Sequence, residues 1–189
     1  ERIPTYRSIE GVFLDQPDLM LKKAPLLADI FVDAPLTKTP PAHLTLTRAL
    51  DQSAQNYSDR PAVSSLEGQS MTYKELKARA ARIAHILKEE GVKVGDPVGV
   101  CMNRTPDMIA SLWAILSVGA AYLPLDPQYP TDRLQYMAED ARTPLILSEF
   151  EFLDRFAESS LNCFCLDRQK KRLAAASDQG LDLAHPDGL

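Results

Sequence analysis

The strongest constraint on this chain is an alternation that begins near Leu44. Short apolar runs of strand length trade places with stretches of helical spacing. Residues 45–57 carry Leu46, Ala49, Leu50 and Ala54 at helical intervals, 61–66 read as a strand, and Glu67, Gly68 and Gln69 as a turn. The clearest helix spans 73–90, where Leu76, Ala80, Ile83, Ala84 and Leu87 form one apolar stripe. Gly91 stands at the usual left-handed stop. Residues 98–102 read as a buried strand. Thr105 is expected to cap the next helix, with Pro106 at its first position and Asp107 near its positive end. That helix is apolar on more than one side, which predicts a core role for Trp113, and it ends at Gly119. Then follow an extended run at 121–125, a helix from Pro130 to Asp140, a strand at 145–147, a short helix at 151–158 and a strand at 162–166. The last 22 residues, with the basic run Lys170 to Arg172, are expected to be mostly solvated loop. Such alternation predicts an α/β fold: a largely parallel, twisted sheet flanked by helices.

Composition excludes several classes. The 26 acidic against 21 basic residues give a net charge of −5, a poor match to the basic footprint of a nucleic-acid binder. No apolar run approaches a membrane span, and no signal-peptide pattern opens the chain. It opens on Glu1 rather than Met, and so reads as an excerpt or a processed product. Cys101, Cys163 and Cys165 lie in apolar runs and read as buried free thiols of a reducing, cytoplasmic setting. With His43, His85 and His185 they make no ligand spacing, so no metal site is expected. Residues 1–42 hold six of the 14 prolines and read as a Pro-rich leader or linker, with the domain over 43–189.

Two local patterns stand out. Thr72 and Glu75 form the S/T-x-x-E capping box, with Met71 and Leu76 placed as a hydrophobic staple. Further on, a helix stops at Gly119, and prolines 124, 127 and 130 stiffen the exit around Asp126. Asp126 is expected to bond turn amides or a nearby cation such as Arg133.

These residues resemble an amino-acid adenylation domain of nonribosomal peptide synthetases, within the adenylate-forming ligases. Thr72, Tyr73, Glu75 and Leu76, after Met71, are similar to that family's first core motif, Leu-Thr/Ser-Tyr-x-Glu-Leu. Gly119, Ala121, Tyr122, Pro124 and Asp126 are similar to its second, with Ser117 and Val118 where the family has Lys and Ala. Pro127, Tyr129 and Pro130 continue the match. Residues 48–62 resemble the family's opening helix and first strand, and the likeness runs from about Leu44 to Leu189. Residues 1–42 resemble nothing that can be named.

The resemblance implies part of a large N-terminal subdomain. It also implies a parent in which ATP and Mg²⁺ convert an amino acid to an aminoacyl-AMP, which then passes to a phosphopantetheine arm on a carrier (thiolation) domain. The partners implied are the remainder of the adenylation domain and that carrier; the leader either follows a condensation domain or begins the protein. The family's phosphate loop comes later: His185 to Leu189 resembles the lead-in to the strand before it. The motif residues present are therefore structural, no catalytic, cofactor-binding or metal-ligating residue is expected, and the fragment alone should be inactive. Cut here, it should also be sticky or marginally stable. The alternatives are an acyl-CoA ligase-like carboxylate activator and a truncated non-catalytic binding module. A dinucleotide-binding domain is disfavoured by the missing glycine fingerprint.

Overall fold

A computed structural model describes residues 45–65 and 68–181. The leader, the boundary at residue 42, Glu67 and the segment from His185 to Leu189 lie outside the described residues.

Helix α1 (Leu46–Asn56) starts where the Thr45 hydroxyl accepts the Arg48 amide at 3.3 Å. Strand β1 (Pro61–Ser64) does not enter the parallel sheet. It pairs antiparallel with β2 (Ser70–Thr72), a strand too short and too polar for any alternation to announce it. Thr72 ends β2 and also caps α2 (Tyr73–Glu89). Its hydroxyl takes the Glu75 amide at 3.2 Å, while Glu75 Oε2 takes the Thr72 amide at 2.8 Å. The expected capping box is therefore complete. The stripe Leu76, Ala80, Ile83, Ala84 and Leu87 is buried, and Met71 packs on the same core.

Strand β3 (Pro97–Cys101) leads to α3 (Pro106–Ser117), β4 (Ala121–Pro124), α4 (Thr131–Asp140) and β5 (Leu145–Ser148). A 3₁₀ helix (Phe150–Phe156), rather than an α-helix, precedes β6 (Cys163–Cys165). Within the tail, Lys170–Ala175 form a short helix, α5; the other described residues there are turn or irregular. Lys170 and Lys171 are exposed, while Arg172 is part-exposed but paired. Its guanidinium reaches Glu90 at 2.6 Å and Glu89 at 2.9 Å, and lies 5.4 Å from the Phe164 ring. Leu173 beneath it is buried. Thr105 takes the cap position of α3 but makes no capping bond: its Oγ1 is buried without a partner, and Pro106 carries the helix start.

The four strands run parallel in the order β4-β3-β5-β6. Their period of two sorts the core. Val98, Val100, Leu145 and Leu147 join Ile83, Leu87 and Trp113 on a first face, under α2 and α3. Cys101 and Ile146 join Leu134, Ala138 and Phe156 on the second, under α4 and the 3₁₀ helix. α2 is pinned to the start of α3 by Arg79, whose Nε and Nη2 each lie 2.8 Å from an Asp107 oxygen. Gly91 (φ +86°) and Gly119 (φ +75°) turn the chain out of α2 and α3 as expected. In each case the next amide bonds back five residues, Val92 to Leu87 and Ala120 to Ile115. α4 closes the same way through Thr143 and Ala138, but with Arg142 at φ +53° where glycine is usual.

Candidate functional site

The chain leaves β3 for β4 over the first face and returns to β5 over the second. The connections therefore diverge between β3 and β5, at their carboxyl ends. Such a switch point in an open α/β sheet leaves a crevice that side chains on the following loops line. The structure has one there, a cleft of about 1240 Å³. Met102, Asn103 and Arg104 reach it from β3; Pro124, Asp126 and Pro127 from β4; Glu149, Phe150 and Glu151 from β5; Asp167 from β6; and Ser64 and Gln69 from the hairpin.

Asn103 organises the junction. Its backbone amide donates to Glu149 Oε2 at 3.0 Å, its side-chain amide donates to the same oxygen at 2.7 Å, and that amide also bonds Glu151. One neutral group thus bridges the two strand ends. Beneath it the buried Ser148 hydroxyl donates to the Cys101 carbonyl at 3.1 Å. Asp167 accepts the Phe150 amide at 3.0 Å and the Cys165 thiol at 2.9 Å. Burial works to raise the Asp167 pKa, but these bonds and the Arg168 charge hold it below the usual range. Arg168 lies 3.5 Å from the centre of the Phe150 ring. Asp126 takes the Gln128 amide at 2.9 Å, which is the expected turn bond; Arg133 instead sits 4.1 Å over the Tyr129 ring.

The cysteines bring no nucleophile. Burial pushes the Cys101 thiol up to about 12 and those of Cys163 and Cys165 up to about 11. Among the described residues no group of His, Cys, Asp and Glu is placed to hold a metal ion. The cleft is a poor seat for a nucleoside triphosphate. Asp126, Glu149, Glu151 and Asp167 oppose it, and Arg104 is the one cation lining the cleft among the described residues. This donor set does not fit a polyanion. A smaller hollow of about 420 Å³, lined by Arg142, Thr143 and Asn162, lies before β5 and β6 at the other end of the sheet.

The sequence-predicted residues separate into two groups. Pro124, Asp126 and Pro127 come to the cleft. Thr72, Tyr73, Glu75 and Leu76 build the start of α2 instead, with Tyr73 against the core. Gly119 turns the chain into β4 and accepts the Gly95 amide at 2.8 Å; the Ala121 amide bonds Asp96 at 2.9 Å. Tyr122 is exposed on β4, the Tyr129 carbonyl accepts from Arg155 at 3.1 Å, and Pro130 caps α4. Asn103, Glu149, Glu151 and Asp167 were not anticipated. The available signal, for Asn103, Glu149 and Asp167, was their place as polar residues within two positions of apolar runs that read as parallel strands.

Comparison with known proteins supplies the context. Residues 50–185 match the family described as AMP-binding enzyme. The chain is 38% identical over 162 residues to phosphinothricin tripeptide synthetase PhsC of Streptomyces viridochromogenes, covering 84% of this chain and 15% of that protein. It is 33% identical over 153 residues to bacitracin synthase 1 of Bacillus licheniformis, covering 80% of this chain and 3% of that one. The chain thus spans a small part of each of these synthetases. Among solved structures, the nonribosomal peptide synthetase FmoA3, bound to α-methyl-L-serine-AMP, matches with a TM-score of 0.69 at 30% identity. That match covers 78% of this chain and 16% of FmoA3. The N-terminal domain of FACL13 from Mycobacterium tuberculosis shares the fold, with a TM-score of 0.67 at 18% identity over 73% of this chain and 38% of that one.

Proposed function

Because this chain belongs to the AMP-binding enzyme family, we propose that it is the opening part of an adenylation domain whose parent activates an amino acid. In this reading the parent is an ATP-dependent, AMP-forming ligase. It joins the carboxylate to AMP, releases pyrophosphate, and passes the acyl group to a phosphopantetheine thiol on a carrier domain. ATP with Mg²⁺ supplies the activated phosphorus. The acidic cleft does not suit those phosphates, so this chain alone is inactive, and the cation and backbone donors the reaction needs come from the rest of the domain.

The observation that carries the reading is the pair of motifs in order, at Thr72–Leu76 and Gly119–Pro130, inside a stretch 38% identical to PhsC across 84% of the chain. The adenylate in FmoA3 is an aminoacyl one, which favours amino acids as the parent's substrates. The domain proper occupies 43–189 behind a Pro-rich leader, and the twelve motif residues are structural. Three free cysteines fit a reducing cytoplasm, and no described helix is long and apolar enough to cross a membrane.

The test is to trap the product. The full-length polypeptide is incubated with ATP, hydroxylamine and single carboxylates. Amino-acid hydroxamates are expected from one or a few amino acids. Hydroxamates from fatty acids alone would replace this reading with an acyl-activating one.

A further inference from the structure

We infer that the hollow before β5 and β6 binds a small zwitterion of the amino-acid class, its carboxylate met by Arg142 and its ammonium by Glu139. The hollow lies at the opposite end of the sheet from the cleft, so its occupant is separate from the reaction proposed above.

The charges are the first support. Glu139 and Arg142 both line the hollow. Three residues apart, they would be neighbours on a continuing helix and free to pair. Instead α4 ends at Asp140, and Arg142 takes φ +53°. A left-handed φ is costly for any side chain, so the position keeps its guanidinium against the preference of the backbone. Among the described residues, neither side chain forms an ion pair with the other or with a third. The hollow thus carries one positive and one negative group, both unmatched. A lone anion there is repelled by Glu139, and a lone cation by Arg142. A molecule that holds both charges satisfies both. Glu139 also stands in the last turn of α4, where the helix end favours a cation.

Thr143 is the second support. It is 6% exposed and lines the hollow, and its Oγ1 is buried with no partner. Its amide is already spent on the Ala138 carbonyl at 2.9 Å. Valine would fill the same space without an orphaned hydroxyl. A turn about χ1 brings that hydroxyl to an occupant, where it donates to the carboxylate. Ser160 and Asn162 line the same hollow, and their side chains bond no described residue. At about 420 Å³ the hollow falls in the range of small-molecule sites, roughly 300–1,000 Å³.

The experiment is methyl NMR on the full-length polypeptide without ATP, with the threonine γ2 methyls labelled and the Thr143 signal assigned by its loss in Thr143→Val. Glycine is the probe, and acetate and methylammonium are titrated separately. Glycine should move the Thr143 methyl saturably, with half-saturation on the order of millimolar. Acetate or methylammonium alone should bind at least about tenfold more weakly. Glu139→Gln and Arg142→Gly should each weaken glycine by at least about tenfold and leave the other threonine methyls in place. No movement up to about 100 mM glycine would overturn the inference. So would acetate or methylammonium matching glycine, or an unchanged response in either variant, which would trace the shift to glycine bound elsewhere.

Discussion

Gly99 sits in the centre of β3, where an added side chain would enter the filled second face of the sheet. A Cβ there would stand 2.9 Å from Ile146 Cγ1, 3.0 Å from Leu125 Cδ1 and 3.3 Å from Ile146 Cγ2. Neither neighbour can swing into solvent, since Ile146 is 0% and Leu125 1% exposed. Overpacking of this kind costs about 1–3 kcal/mol. Removing a glycine's freedom in the unfolded chain returns about 0.5–1 kcal/mol. Gly99→Ala should therefore lose up to about 2.5 kcal/mol net. The assay is urea unfolding of the 189-residue chain, with sucrose added for a flat native baseline and the single, buried Trp113 as the fluorophore. The midpoint should fall at unchanged slope. Ile146→Ala alone should cost about 2–5 kcal/mol through the void it leaves. In the double variant the new methyl enters that void, so the two costs should fall short of additivity by at least about 1 kcal/mol. A more stable Gly99→Ala chain, or strict additivity, would refute the packing argument.

Arg142→Gly should stabilise the chain by about 1 kcal/mol in the same assay, because glycine carries no penalty at φ +53°. Thr72→Ala should cost about 1 kcal/mol as a lost helix cap. The bonds from Thr72 hold the Glu75 carboxyl below its ordinary value. Their contribution is complete above the ordinary carboxylate range and is lost as pH falls through the lowered folded value. A pH series should therefore show a shallower acid-side decline in Thr72→Ala. The three thiols, raised to about 11 or 12, should resist alkylation at neutral pH until urea unfolds the chain. The unfolded thiols ionise first, so stability should hold below about pH 9 and fall as pH climbs towards 11–12.

What could be read from the sequence was whatever local chemistry decides. The stripe of α2, the stops at Gly91 and Gly119, the proline start of α3 and the parallel strands each depend on residues close in the chain. What escaped depends on distant partners. β2 is a strand because β1 pairs with it. α5 is ordered because Arg172 finds Glu89 and Glu90 some eighty residues away. Thr105 had the right residue type for a cap, but its hydroxyl turns into the protein. The cleft was invisible for the same reason. Asn103, Glu149 and Asp167 meet through strand order, and the order β4-β3-β5-β6 is written in no single segment.

The most direct test of the functional account is ATP–pyrophosphate exchange by the full-length polypeptide, with each amino acid added singly. Exchange stimulated by one or a few amino acids is the predicted result, since only reversible formation of an aminoacyl-AMP returns labelled pyrophosphate to ATP. A folded polypeptide that shows no stimulation by any amino acid, but exchanges with another class of carboxylate, would contradict it.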